Sequence, residues 1–287
     1  MASRQQLKRR IGSVKNTKQI TKAMELVSAS KMRRAQESAT KGRDYSDLAV
    51  QILSRLRELT DVTKHYLYDI RDVKNKLYIV VTSDRGLAGA YNSNVLKAFL
   101  TAVKDDQQNG ISVNVITIGR QAANFVSKLD KIESSGAYVN FPDNPTANDL
   151  RPIIDTAVSG FGKKTIDQVE VVFTKYKSSV LQEVTRTTLL PAAFTDVETD
   201  FLQEATFEPD PLAVLDSVTQ RFIEVLLYQA VLESQASEQS ARMMAMKNAT
   251  DNATDLIDDL TLAFNTARQA AITQELAEIT GGAEAIK

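Results

Sequence analysis

Cysteine and tryptophan are both absent from the 287 residues, and histidine occurs once, at position 65. The first absence removes disulfides, thiolate metal sites and cysteine nucleophiles, and it accords with a reducing compartment. A single imidazole leaves little room for metal or acid-base chemistry, so His65 is read as a solvated residue near a helix end. Proline and glycine are scarce, and they are scarce in particular places. Residues 3–60 contain no proline and only Gly12 and Gly42, while residues 212–280 contain neither residue type. Long apolar runs are missing as well. No stretch approaches the roughly 20 residues needed to cross a bilayer, and the basic start "MASRQQLKRRIGSVK" never enters the apolar core of a signal peptide. The chain is expected to be soluble or peripheral.

What is present is a pair of oppositely charged ends. The net charge is -1, yet residues 1–43 hold 12 Lys or Arg against 2 Asp or Glu, and residues 210–287 hold 5 basic against 12 acidic side chains. Both ends also show helical spacing. In the first, Leu7, Ile11 and Val14, then Ile20, Met24 and Val27, and later Leu48, Ile52 and Leu56 recur at threes and fours, with Ser3 as an expected cap. Such a helix would be about 90 Å long, more than a compact domain of this size can bury. In the last segment, Met243, Met246, Thr250, Ala253, Ile257, Leu260, Phe264, Ala267, Ala271 and Gln274 alternate steps of three and four. That is heptad spacing, which asks for a partner helix. The spacing predicts an antiparallel coiled coil between the two ends. Its far part is thin, because Ala267 and Ala271 bury few methylenes, and it is expected to need an external sleeve.

Between the ends the periodicity changes. "KLYIVVTS" (76–83), "ISVNVITIG" (111–119) and "VEVVFTKY" (169–176) have the branched apolar content of strands, with helical stretches between them. This order predicts a largely parallel α/β sheet. Gly110 is placed at a helix C-cap, and Thr146 or Asn148 at the start of the next helix.

Motifs for chemistry are weak. "VVTSDRGLAGAYN" follows a strand and resembles a phosphate turn, but it lacks the GxGxxG spacing, and Asp84 would oppose a phosphate. "GFGKKT" around Lys163 falls short of a P-loop, since Ala157 and Lys164 stand where glycine and Ser or Thr are required. Asp251, Asp255, Asp258 and Asp259 read as a wet helix face, and there is no GxSxG. No catalytic, cofactor or metal set emerges. The basic stretches "KRRIGSVKNTKQITKAM" and "SKMRRAQ" leave three readings open: a protein-interaction arm, a nucleic-acid contact, or an anionic-surface contact.

Two terminal stretches carry a more specific signal. "IGSVKNTKQITKAMELVSASKMRRAQ" and "EQSARMMAMKNATDNATDLIDDLTLAFNTARQAAITQELAEITGGAEA", with "SDRGLAGAYN" and "EPDP" between them, resemble the gamma-subunit family of bacterial F-type ATP synthases. The terminal signature of that family is matched by Ile272, Thr273, Glu275, Glu278, Gly282 and Ala283. The resemblance implies a coiled-coil shaft (1–60 and 210–287) with a central Rossmann-like α/β domain (61–209). It implies a non-catalytic central-stalk rotor that couples proton flow to ATP synthesis or hydrolysis, without cofactor or metal. Implied partners are the alpha, beta and epsilon subunits and the c ring, with one copy per complex held peripherally on the cytoplasmic side of the bacterial inner membrane. It further implies that Arg268, Gln269, Thr273, Glu275, Met24, Lys18 and Lys22 face the stator, and that Phe207 and Glu208 form a foot toward epsilon or the c ring. In the same family pattern, Lys31, Arg33 and Arg34 lend positive field toward acidic partner surfaces and the acidic helix. The cysteine-bearing insertion of the chloroplast type is absent, which excludes thiol switching. The alternative carried alongside is a basic coiled-coil nucleic-acid-binding or scaffold protein.

Overall fold

The computed structural model describes residues 4–59, 61, 65–129, 132–193, 208 and 210–284. The expected cap Ser3 and the foot residue Phe207 lie outside them. The elements in chain order are α1 (Arg4–Leu59), a 3-10 turn (Tyr66–Tyr68), β1 (Asn75–Val81), α2 (Tyr91–Gln108), β2 (Ser112–Ile118), α3 (Arg120–Val126), β3 (Glu133–Tyr138), α4 (Ala147–Gly162), β4 (Gln168–Tyr176), β5 (Gln182–Leu190) and α5 (Pro211–Glu284). The chain divides into two compact units: residues 1–28 with 243–287, and residues 29–242.

The larger unit is built on a five-stranded sheet in the order β3-β2-β1-β4-β5. β1 pairs in parallel with both β2 and β4, β2 in parallel with β3, and β5 closes the edge antiparallel to β4. Successive side chains of a strand point to opposite faces, so a sheet covered on both sides needs continuous apolar strands. In β1, Leu77, Ile79 and Val81 face a core shared with α4 and with Ile223, Leu227 and Val231 of α5. Tyr78 and Val80 face the opposite core, with Val95, Phe99 and Val103 of α2 and Ala122 of α3. A third cluster packs Ala49, Leu53 and Leu56 of α1 on Leu215 and Phe222 of α5. Leu48, expected on this seam, is 44% exposed instead.

Local signals explain the element ends. Gly110 follows α2 with φ +76°, as expected of a residue just past a helix. Thr146 is the N-cap of α4, and Asp149 reaches back to its N–H at 2.7 Å. That bond, with the one from the Thr146 hydroxyl, holds the Asp149 carboxyl below its ordinary range. Gly119 is a position where only glycine fits. Its φ is +94°, and a Cβ there would stand 2.2 Å from the Thr82 carbonyl oxygen.

In the smaller unit the first part of α1 runs against the last part of α5. On α5, Met246, Thr250 and Ala253 are buried, and Met243, Ile257, Leu260, Phe264, Ala267 and Ala271 are half-buried. These are the heptad positions read from the sequence as far as Ala271, whereas the last of that series, Gln274, is exposed. The acidic residues Asp251, Asp255, Asp258 and Asp259 are exposed. The seam of α1 differs from expectation: Leu7, Thr21 and Ser28 are buried, while Ile20 and Val27 are 61% and 56% exposed. Steps of four and three from Leu7, Ile11 and Val14 reach Lys18, Thr21, Glu25 and Ser28. The heptad therefore continues through polar residues, and Ile20 and Val27 fall one residue off it. Lys18 lies half-buried on this seam, as a long aliphatic stem allows.

Candidate functional site

In an open α/β sheet a ligand binds beyond the carboxyl ends of the strands, where the strand order reverses. Here that place lies past β1, between β1 and β4, and it is the stretch Ser83–Ala90. Its carboxylate is turned toward the ends of β2 and β3. The Asp84 carboxylate accepts the N–H groups of Arg120 (3.0 Å), Asn140 (2.9 Å) and Phe141 (3.0 Å), the first of them at the start of α3. An anion at a helix start is what free amides there attract, and Asp84 supplies it. Asn92 accepts the Ser83 N–H at 3.0 Å, which ties the turn to the first residues of α2. The carbonyls of Arg85 and Gly86 accept from Arg242 Nη2, each at 3.3 Å. The stretch is thus a strand-to-helix connection whose carboxylate and two of whose carbonyls are engaged within the protein.

The "GFGKKT" stretch is also committed internally. Arg71 Nη2 donates to the carbonyls of Phe161 (2.8 Å) and Ile166 (2.6 Å), and its guanidinium lies 4.3 Å from the Phe161 ring centroid. Its Nε stands 3.0 Å from Asp167, whose carboxylate also accepts from Lys74 N and Asn75 N. This knot anchors the end of α4 to the start of β1, and Lys163 takes no part in it beyond capping α4.

His65 is not the solvated residue expected. Its side chain is only 10% exposed, its Nε2 lies 3.1 Å from Asp216, and its ring packs against Tyr66. It caps the 3-10 turn and ties it to α5. Among the described residues its partners are those of a structural tie.

An open depression of about 380 Å³ between α2 and β5 is lined by Asn94, Lys97, Thr101, Asp105 and Arg186. These residues supply no paired acid and base with a nucleophile between them. Among the described residues no cluster of acidic or histidine side chains could hold a metal ion, and no helix is long and apolar enough to cross a membrane.

The residues assigned to the stator fall in two places. Arg268, Gln269, Thr273 and Glu275 are exposed on α5, along a stretch where every residue from 272 to 280 is exposed. Met24 and Lys18 are half-buried beside the seam, and Lys22 is exposed and paired with Glu25 at 3.0 Å. Thr21 and Thr250 meet across the two helices, which fixes their register. Met24 then lies near the level of Lys247, about 30 Å along the axis from Arg268 at 1.5 Å per residue. The structure therefore does not gather these residues into one site. Lys31 pairs with Asp143 in the loop before α4, not with the acidic face of α5. Glu208 is exposed.

The whole chain resembles known proteins. A family model described as ATP synthase matches residues 3–286. The ATP synthase gamma chain of Stenotrophomonas maltophilia is 40% identical over 292 residues, covering 100% of both chains. That of Herpetosiphon aurantiacus is 42% identical over 295 residues, covering 100% of this chain and 99% of the relative. The chain belongs to the ATP synthase gamma chain family. Among solved structures, a chain from the central stalk and c-ring structure of the Tetrahymena thermophila mitochondrial ATP synthase aligns with TM-score 0.60 at 27% identity, over 80% of this chain and 99% of that one. A chain of the Euglena gracilis mitochondrial ATP synthase in rotational state 3 aligns with TM-score 0.66 over 98% of this chain and 93% of that one. At 18% identity this second likeness concerns the fold alone. As a gamma chain, the protein is a non-catalytic subunit of a complex that makes ATP. The nucleic-acid reading of the basic arm gives way to this family.

Sequence reasoning did not single out Ser234, Ser237, Ser240 or Arg242, which are buried on α5 and bonded to the sheet unit. The spacing of three among the serines along one helix face was the available signal.

Proposed function

We propose that this gamma chain is the rotor of a proton-translocating ATP synthase, turning inside a ring of alpha and beta subunits. Its lower parts sit on epsilon and the c ring. In this reading the shaft comprises residues 1–60 and 210–287 and the head residues 61–209. One copy serves each complex, held peripherally on the cytoplasmic side of the bacterial inner membrane.

The observation that carries the reading is the exposed end of α5. Residues 272–280 are helical and exposed throughout, including Ile272 (45%), Leu276 (58%) and Ile279 (68%). A helix that leaves such side chains wet fits a surrounding protein wall. The small Ala267 and Ala271 keep the shaft slim where it meets that wall.

The unequal faces of the shaft supply the coupling. A rotor changes the state of a neighbouring subunit only if its contacts differ between that subunit's conformations. Around the shaft one side carries exposed Ile20 and Val27, seven residues apart, and another carries Asp251, Asp255 and Asp258. Three identical neighbours would therefore meet three different surfaces at any moment. Arg268 and Gln269, with Thr273 and Glu275 beyond them, form and break polar contacts with the stator as the shaft turns. An arginine suits this because its planar fork binds a carboxylate bidentately. Met24, Lys18 and Lys22 make a second contact lower on the shaft, and Glu208 with Phe207 forms the foot.

Purification of the native complex in mild detergent tests the reading. Co-purification with a ring of three alpha and three beta subunits is expected, together with no ATP hydrolysis by the isolated chain. Robust hydrolysis by the chain alone, or absence of such a ring, would overturn it.

A further inference from the structure

Between residues 234 and 242, α5 turns a polar edge toward the sheet unit. Ser234, Ser237 and Ser240 are fully buried, and Arg242 is 7% exposed. A serine inside a helix commonly bonds back to a carbonyl of its own preceding turn. These serines bond outward instead. Ser234 Oγ and Tyr91 Oη share a bond of 2.7 Å, and Ser234 Oγ also accepts from Thr174 N at 3.5 Å. Ser237 donates to the Thr174 carbonyl at 3.1 Å. Ser240 donates to the Ser179 carbonyl at 2.9 Å and accepts from Gln182. Gln235 adds a bond to the Pro142 carbonyl at 2.9 Å. Arg242 completes the series with its two bonds to Arg85 and Gly86, held in place by Glu238 at 2.7 Å.

The chemistry of these contacts matters for what they resist. Apolar contacts are non-directional, so a helix resting on them can roll or slide at small cost while its buried area is conserved. Hydrogen bonds weaken steeply with misalignment. With side-chain tips at a radius of about 5 Å, a roll of roughly 20° moves each tip by about 2 Å, enough to break every bond in the series. The Glu238–Arg242 pair fits the same purpose. Burial, with Asp84 and Asp143 nearby, disfavours the Glu238 charge, and Arg242 only partly offsets this. Such a pair is a poor source of stability and a good fixer of position.

We infer that residues 234–242 form a torsional anchor, a row of directional bonds that stops α5 from rolling or sliding on the sheet unit, so that twist is passed between them without slip. The purpose of the anchor rests on the rotor reading, whereas its existence is local.

The experiment uses the full chain and then the complex. The triple variant Ser234→Ala, Ser237→Ala, Ser240→Ala keeps side-chain size close and raises helix propensity, and Arg242→Lys keeps the charge but loses the fork. Amide hydrogen exchange in residues 83–90 and 176–182 is expected to quicken several-fold in these variants, with β1 and β2 unchanged. In the assembled complex, protons pumped per ATP hydrolysed are expected to fall several-fold while hydrolysis persists. Unchanged exchange overturns the anchor, and quickened exchange with unchanged pumping per ATP overturns its torsional role. If the unsubstituted chain enters no such complex, the rotor reading falls, and the exchange result alone decides the anchor. Should the triple variant not fold, Ser237→Ala alone carries the same measurements.

Discussion

Thr21 and Thr250 lie hydroxyl to hydroxyl at 2.8 Å, both buried in the seam between α1 and α5. Each can also donate to its own helix, Thr21 to the Lys18 carbonyl at 3.1 Å and Thr250 to the Met246 carbonyl at 2.8 Å. One proton is therefore free to cross the seam while the other stays at home. Thr21→Val is expected to cost about 1 kcal/mol, because Thr250 loses its partner in a buried site. The double substitution Thr21→Val, Thr250→Val is expected to be close to neutral, since both polar groups leave together. Urea unfolding of the four chains in a double-mutant cycle measures the coupling, and a coupling near zero would show that the bond does not contribute.

Gly119 and Gly12 offer opposite outcomes for one chemical change. Gly119→Ala drives a methyl group into the Thr82 carbonyl from a backbone with φ +94°. A loss of about 3 kcal/mol or more is expected from strain and displacement of that carbonyl. Gly12 lies inside α1 with no atom within 4 Å of an added Cβ. Gly12→Ala is therefore expected to stabilise by about 0.5 to 1 kcal/mol. Equilibrium unfolding of the two variants checks both signs at once.

The comparison of pattern with structure turns on where polar residues are buried. β1, β2 and β4 are legible because central strands covered on both faces are almost wholly apolar. β3, reading "ESSGAY", and β5, reading "QEVTRTTLL", are the two edges of the sheet and carry mostly half-buried or exposed side chains. Their strand character comes from pairing with β2 and β4, which no local pattern records. The seam of α5 is legible for the same reason as β1, and half of the α1 seam is hidden because Thr21 and Ser28 occupy it while apolar Ile20 and Val27 do not. The polar edge at Ser234, Ser237 and Ser240 is hidden more deeply, since serine in a helix ordinarily signals solvent. The residues proposed to face the stator, by contrast, are readable only through the family resemblance, because the chain alone leaves Arg268 and Gln269 as exposed polar side chains.

Asp167 links the sheet to pH. Burial works against its charge, but the N–H groups of Asn75 and Lys74 and the Arg71 guanidinium outweigh that and hold its carboxyl below the ordinary value. The folded state thus prefers the ionised form more than the unfolded chain does. Its contribution is fully present above the unfolded value, near pH 4, and is lost as pH falls through the lower folded value. Asp167→Asn is expected to be less stable than the parent at pH 7, with the gap closing progressively as pH falls below about 4. Urea midpoints of both chains at those pH values test this, and a gap constant with pH would assign the effect to packing.

Arg268 and Gln269 provide a test in which folding and function separate. Both side chains are exposed, while their neighbours Ala267 and Ala271 hold the seam. Replacing both by alanine removes no seam contact and slightly favours helix, so the stability of the isolated chain is expected to stay within about 0.5 kcal/mol. Assembly of the complex is expected to persist, because two side chains are a small part of the shaft's surface. ATP-driven proton pumping is expected to fall several-fold, since the polar contacts proposed between shaft and sleeve would lose their arginine fork. Pumping equal to that of the parent complex, at equal assembly, would remove these two residues from the coupling contact and shift it to Thr273 and Glu275, which the same pair of measurements can then examine.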